Sequence, residues 1–303
     1  MMQRRTFQIA LAISALMGAT QVVAAPAVQV VASFSILADV AREIGGDRVR
    51  VTALVGNDQD AHVYKLRPSD LRTIRGANVV LLNGLGFEGA DMVRAVRSSK
   101  VLSADAAEGI KTLQGGDDHH GHGHHHDHDH GKYDPHVWTN PKNMLRYAQN
   151  VSTALTKADP AGSAYYAQRL KSYQTTLTEL DKWAEQQFNT IAKARRKVLT
   201  GHDAFAYMGQ RYGVQFLAPQ GISTESEASA KTVAAIVRQV RQEKIKAVFM
   251  ENIKDARLVQ QLAKEAGVTV QTTPLYSDAL SSQASSYTAL VRHNVNAMVK
   301  AMK

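Results

Sequence analysis

The chain has 303 residues, a formal net charge of +9 and no cysteine. The missing cysteine excludes disulfides, thiolate ligands and thiol catalysis, so His, Asp and Glu are the side chains left to hold a transition metal. Lysine and arginine are spread along the chain and not clustered with aromatics, which reads as solvated helix faces and argues against a nucleic-acid partner.

Met1 to Ala25 carries Arg4 and Arg5, the apolar stretch Ile9 to Met17, and then Gln21-Val22-Val23-Ala24-Ala25. A basic start, a short apolar run and small residues at the end read as a secretory signal peptide over residues 1–25, cleaved near Ala24 or Ala25. No later segment approaches the roughly 18 uninterrupted apolar residues of a membrane span. Without cysteine there is no lipid attachment, so the expectation is an exported protein of a periplasm. The mature chain is longer than one core usually organises, which predicts two domains.

Val28 to Ser33 is a β-branched run, and Ile36 to Ile44 then has helical spacing before the stop Gly45-Gly46. The alternation continues with a strand at Val49 to Val55, a short helix at Ser69 to Arg75 capped by Ser69, and a strand at Asn78 to Leu82. Pro141 to Lys157 reads as a helix with Pro141 in its first turn and Asn140 as cap. Residues 26–160 are therefore predicted to form an N-terminal lobe with a parallel sheet and covering helices. From Ser163 to Arg196 apolar positions recur at three- and four-residue spacing for more than thirty residues. That is long for one domain, so 161–196 is predicted to be a rigid connecting helix. Residues 197–303 repeat the alternation as a C-terminal α/β lobe. Its strands are predicted at Lys197 to Thr200, Gln215 to Ala218, Ala247 to Met250 and Thr269 to Thr272, and its helices near Ala204 to Tyr212, Ala230 to Glu243, Asp255 to Ala266 and Ala284 to Met302.

Within the first lobe the segment 115–131 holds His119, His120, His122, His124, His125, His126, His128 and His130, interleaved with acids and glycines. Such a tract offers many neutral imidazoles to a borderline metal and reads as a set of weak metal sites. Four isolated positions, His62, His136, His202 and Asp278, fall just after predicted strands or in loops. Ligands of open α/β sheets bind beyond the carboxyl ends of the strands, so residues from both lobes can converge on a cleft there. Three imidazoles and one carboxylate suit tetrahedral zinc.

Around these positions stand Asn57-Asp58-Gln59-Asp60-Ala61-His62-Val63-Tyr64, Asp134-Pro135-His136-Val137-Trp138, Gly201-His202-Asp203-Ala204-Phe205, Gly221-Ile222-Ser223-Thr224-Glu225 and Leu275-Tyr276-Ser277-Asp278. With these segments the chain resembles the zinc- and manganese-binding solute receptors of ABC metal importers over nearly all of its mature length. The resemblance implies two α/β lobes joined by one long helix, with metal ligands at His62, His136, His202 and Asp278. Manganese members carry a carboxylate where His202 stands, so the resemblance points to Zn2+. It further implies a monomer that performs no reaction, captures zinc in the periplasm and hands it to a membrane permease, with a periplasmic zinc chaperone as a further partner. Small displacements, and not a wide hinge closure, are implied by the connecting helix.

Two motifs compete for a functional reading. Gly84-Leu85-Gly86-Phe87-Glu88-Gly89 fits G-x-G-x-x-G, with Asp105 downstream, but Glu88 would set a carboxylate against a pyrophosphate. His293 lies in the last amphipathic helix without ligand partners on neighbouring turns and reads as structural. Alternatives to the receptor are a zinc-dependent hydrolase, which needs an open coordination position and lacks H-E-x-x-H here, and a zinc store or metallochaperone without a transporter.

Overall fold

The computed structural model describes residues 27–115, 133–225, 227–253 and 255–303. The predicted signal peptide and the eight clustered histidines lie outside the described residues. The first sheet is parallel, in the order β2-β1-β3-β4, from β1 (Val28–Phe34), β2 (Val49–Val55), β3 (Val79–Leu82) and β4 (Leu102–Asp105). Every residue of β1 except Gln29, and all of β3, is buried, as expected for parallel strands covered on both faces.

Helix α1 (Ser35–Gly45) is buried almost all round and lies between the sheet, α4 (Pro141–Ala158) and α5 (Ser163–Asn189). It stops at Gly46, whose φ of 50° and close approach to Tyr165 and Arg169 leave no room for a side chain. Helix α2 (Pro68–Arg75) starts one residue earlier than the sequence suggests, and its cap is not Ser69. Asp70 turns back instead, its carboxylate accepting from the Arg67 amide at 2.7 Å and the Tyr64 hydroxyl at 2.9 Å. Helix α3 (Ala90–Ser99) and the edge strand β4 were not predicted. Asn140 does cap α4, accepting from the Lys142 amide at 3.0 Å.

The connecting helix α5 buries one stripe, Tyr166, Leu170, Tyr173, Leu177, Leu180, Ala184 and Phe188. It ends at Asn189, short of Arg196, because the buried Arg196 guanidinium requires a turn that presents the Ile191 carbonyl to it at 3.0 Å. The second sheet is parallel too, order β6-β5-β7, from the very short β5 (Lys197–Leu199), β6 (Gln215–Leu217) and β7 (Ala247–Val248). Thr269 to Thr272 forms no strand; Gln271 donates to the Val248 carbonyl at 2.8 Å, and the chain then turns away. Helices α6 (Ala206–Tyr212), α7 (Ala230–Gln242), α8 (Arg257–Ala266) and α9 (Tyr287–Met302) complete the lobe. None of the described helices is long and apolar enough to cross a membrane.

Successive residues of a strand face opposite sides, and the second sheet uses this to separate two cores. Val198 and Ala247 belong to a continuous core that runs from β1 through α1, α4, α5 and α9. Leu199, Leu217 and Val248 face a separate, smaller cluster with Ile236 and Val240 of α7 and Leu262 of α8. Helix α9 itself is tied to the first lobe, since the Tyr287 amide donates to Asp39 at 2.7 Å and its hydroxyl to the Trp138 carbonyl at 2.8 Å.

A candidate metal centre between the lobes

Each of the four isolated polar positions sits where a strand has just ended or a loop crosses the cleft. His62 lies in the loop between β2 and α2, His136 before the first turn leading to α4, His202 three residues past β5, and Asp278 on the segment between α8 and α9. The fold brings all four together, their ligand atoms within 4.8 Å of one another. Asp278 is the centre: its carboxylate lies 3.3 Å from His62 Nε2, 3.5 Å from His136 Nε2 and 3.2 Å from His202 Nε2. The Nε2 atoms of His62 and His136 are 3.4 Å apart.

The opposite edge of two rings is fixed by carboxylates. Asp134 accepts from His136 Nδ1 at 2.7 Å and from the His136 amide at 2.9 Å. Glu251 lies 2.6 Å from His202 Nδ1, and its other oxygen accepts from the amides of Gly201 at 2.7 Å and His202 at 2.9 Å. A carboxylate on Nδ1 holds the proton there and leaves the Nε2 lone pair for a cation. His62 is steadied through its backbone, its amide donating to Asp60 at 3.0 Å.

The charge balance of the site favours a cation. Burial opposes a charge on His202, yet Glu251 and Asp278 outweigh burial and raise its pKa well above that of ordinary imidazole. Burial likewise would raise Asp278, but His202 and His136 hold its carboxyl well below the usual range. Both oxygens of Asp278 and both ring nitrogens of His202 are buried without a well-aligned hydrogen-bond partner, although Nδ1 has the Glu251 carboxylate beside it. That is a costly arrangement for groups that do not ligate. The floor is aromatic: His62 packs on Phe87, and His136 on Trp138, with Phe34 behind both.

Sequence reasoning missed Asp134, Glu251, Asp60 and Trp138 as supporting residues. The repeated D-x-H of Asp60-Ala61-His62 and Asp134-Pro135-His136 is a readable signal for the two local aspartates. Glu251 offered none. The glycine-rich loop is closed to phosphate, because the buried Glu88 carboxylate already takes the amides of Asn83 at 2.5 Å and Gly84 at 3.1 Å and the Ser33 hydroxyl at 2.7 Å. His293 donates to the Pro274 carbonyl at 2.8 Å and stacks on Tyr276, a structural role.

Residues 30–301 match the family model described as ZnuA, zinc-uptake complex component A, periplasmic. The chain is 35% identical to the manganese-binding lipoprotein MntA of Bacillus subtilis, over 91% of this chain and 90% of that one. It is 28% identical to the iron ABC transporter substrate-binding lipoprotein MtsA of Streptococcus pyogenes, over 88% and 86%. In three dimensions it is similar to the periplasmic zinc-binding protein TroA of Treponema pallidum, with a TM-score of 0.82 and 28% identity over 91% of this chain and 99% of that one. Relatives named for manganese, iron and zinc thus all match this chain over most of its length. A buried three-histidine, one-aspartate cluster between two parallel α/β lobes, on a chain matched almost end to end, places this protein in the family of metal-binding substrate receptors of ABC importers, which are not enzymes.

Proposed function

We propose that this chain is a high-affinity zinc receptor of the periplasm that holds Zn2+ on His62, His136, His202 and Asp278 and delivers it to the permease of an ABC importer. The observation that carries the reading is the donor set: three imidazole nitrogens, two of them held by carboxylates, and a single carboxylate opposite. Imidazole suits a borderline ion such as zinc, while a manganese site favours oxygen donors. The 35% identity to a manganese-named relative supports manganese as the competing cargo. His202 is the residue that separates the two readings. The histidine-rich segment adds weaker collecting sites in this reading. Its flanks, Gln114 and Tyr133, pair in an antiparallel bridge three residues before His136.

Competition titration of the mature chain with zinc and manganese tests the assignment. Zinc should bind more tightly, and His202→Glu should narrow the zinc-to-manganese ratio by about tenfold or more, since the Irving–Williams order keeps zinc ahead in absolute affinity. Protein recovered from the periplasm should carry zinc. An unchanged ratio in the variant, or manganese in the recovered protein, overturns the reading. Acid should weaken binding, because the proton that Glu251 and Asp278 stabilise on His202 competes with the metal, and the loss should begin above the ordinary imidazole pKa of about 6.5.

A further inference from the structure

The four ligands are not equally enclosed. His136, His202 and Asp278 are 0% exposed, whereas His62 is 7% exposed and its neighbour Val63 is 47% exposed. His62 is therefore the ligand nearest solvent. The loop that carries it, between Val55 and Pro68, has no helix or strand of its own. Something else must hold it shut.

Two aspartates of the loop reach across the cleft. One oxygen of Asp60 accepts from the His62 amide at 3.0 Å, and the other accepts from the Thr224 hydroxyl of the second lobe at 2.6 Å. Asp58, in the left-handed region at φ 56°, accepts from Asn252 Nδ2 at 2.8 Å, while its amide donates to the Leu280 carbonyl at 2.9 Å. Thr224 follows β6 and Asn252 follows β7, so two separate loops of the second lobe fasten the same loop of the first. Thr224 is buried, whereas the Asp58 end of the other contact is exposed, which makes the Thr224 contact the stronger.

We propose that Thr224 and Asn252 form a latch on the His62 loop and set how fast the bound metal leaves, with Thr224 the dominant positioning residue. This rests on the metal-receptor reading but not on which metal is carried. Opening the latch frees Asp60, and with it the backbone of His62, while Asp278, His136 and His202 stay in place. Metal would then depart from a site that has lost one ligand.

The mature full-length chain, loaded with zinc and mixed with excess chelator, gives the release rate directly. Thr224→Val, which removes the hydroxyl at nearly constant shape, should speed release about tenfold or more, the effect of losing a hydrogen bond to a charged group. Thr224→Ser should release at nearly the wild-type rate, and Asn252→Ala should fall between. X-ray absorption of the loaded Thr224→Val protein should still report three nitrogen ligands and one carboxylate from the protein. The same ranking should hold with manganese as the probe. Equal release from wild type and Thr224→Val overturns the latch whichever metal is bound, as does equal acceleration by Val and Ser, which would reduce the effect to packing. Failure of the wild type to retain zinc while retaining manganese would overturn the zinc assignment alone, and the ranking with manganese would then decide the latch.

Discussion

One face of the second sheet shares the continuous core with α1, α4, α5 and α9, and the other looks onto a small cluster under α7 and α8. His136 and Asp278 are carried by segments bound to the larger body: the Leu280 amide donates to Ser35 at 2.9 Å, and Trp138 donates to the Ser277 carbonyl at 2.8 Å beside Asp278. His202 stands at the border, and the residue that fixes its ring, Glu251, follows β7. The latch residues Thr224 and Asn252 belong to loops of the outer part. A site divided in this way has two ligands, His136 and Asp278, on a rigid base. His62 depends on the two fastening loops, and the ring of His202 depends on a carboxylate carried by the outer part.

Matched core truncations test that division most severely. Leu177→Ala, in α5, and Leu262→Ala, in α8, each empty a fully buried position and should each cost about 2–5 kcal/mol locally. Their reach should differ. Hydrogen exchange in Leu262→Ala should accelerate in β6, α7 and α8 while α1, α4 and α9 stay protected, whereas Leu177→Ala should expose both regions. A uniform acceleration in both variants would break the comparison.

Next in size is the pair of carboxylates behind the rings. Asp134→Asn and Glu251→Gln should each weaken metal binding by about 10–100-fold, the usual cost of disturbing a group hydrogen-bonded to a ligating histidine. Glu251→Gln should be the worse of the two, because Glu251 also holds the amides of Gly201 and His202 and so shapes the loop itself. Calorimetric titration of both variants ranks them, and a larger loss in Asp134→Asn would make the first-lobe carboxylate the more important support of the rings.

The smallest effect concerns the joint between α9 and the base. Burial, partly offset by the Tyr287 amide, raises the Asp39 carboxyl to about 6. A raised carboxyl pKa contributes stability that is complete below the unfolded value and is lost as pH rises through the folded one. Stability of the metal-free protein should thus fall by on the order of 2 kcal/mol between about pH 4 and pH 7 from this group alone. Asp39→Asn, which keeps an acceptor for Tyr287, should flatten that slope in denaturant titrations, and an unaltered slope would refute the role.

The first lobe was legible where local pattern and tertiary role agree. β1, β2 and α4 combine buried strand or helix periodicity with clear stops, and the four cleft positions follow such elements directly. β4 escaped notice because Leu102–Asp105 is a polar, largely exposed edge strand with no apolar alternation. Thr269 to Thr272 misled for the opposite reason, a β-branched stretch that makes one bond to β7 and no ladder. Around the metal centre, Asp134 stands two residues from its histidine, while Glu251 is 49 residues from His202 and becomes its neighbour only when β5 and β7 pair. No spacing rule reaches across a sheet in that way.

The aromatic floor makes the protein its own indicator. Of the two tryptophans in the chain, Trp183 lies under the Arg292 guanidinium on the connecting helix, whereas Trp138 is fully buried with its ring 5.3 Å from that of His136. Its indole N–H is also tied to the backbone beside Asp278. A charge arriving at or leaving that imidazole changes the electric field across the indole, and an indole's emission energy follows the field it experiences. Occupancy of the cleft should thereby shift the emission of one buried chromophore, with no label attached.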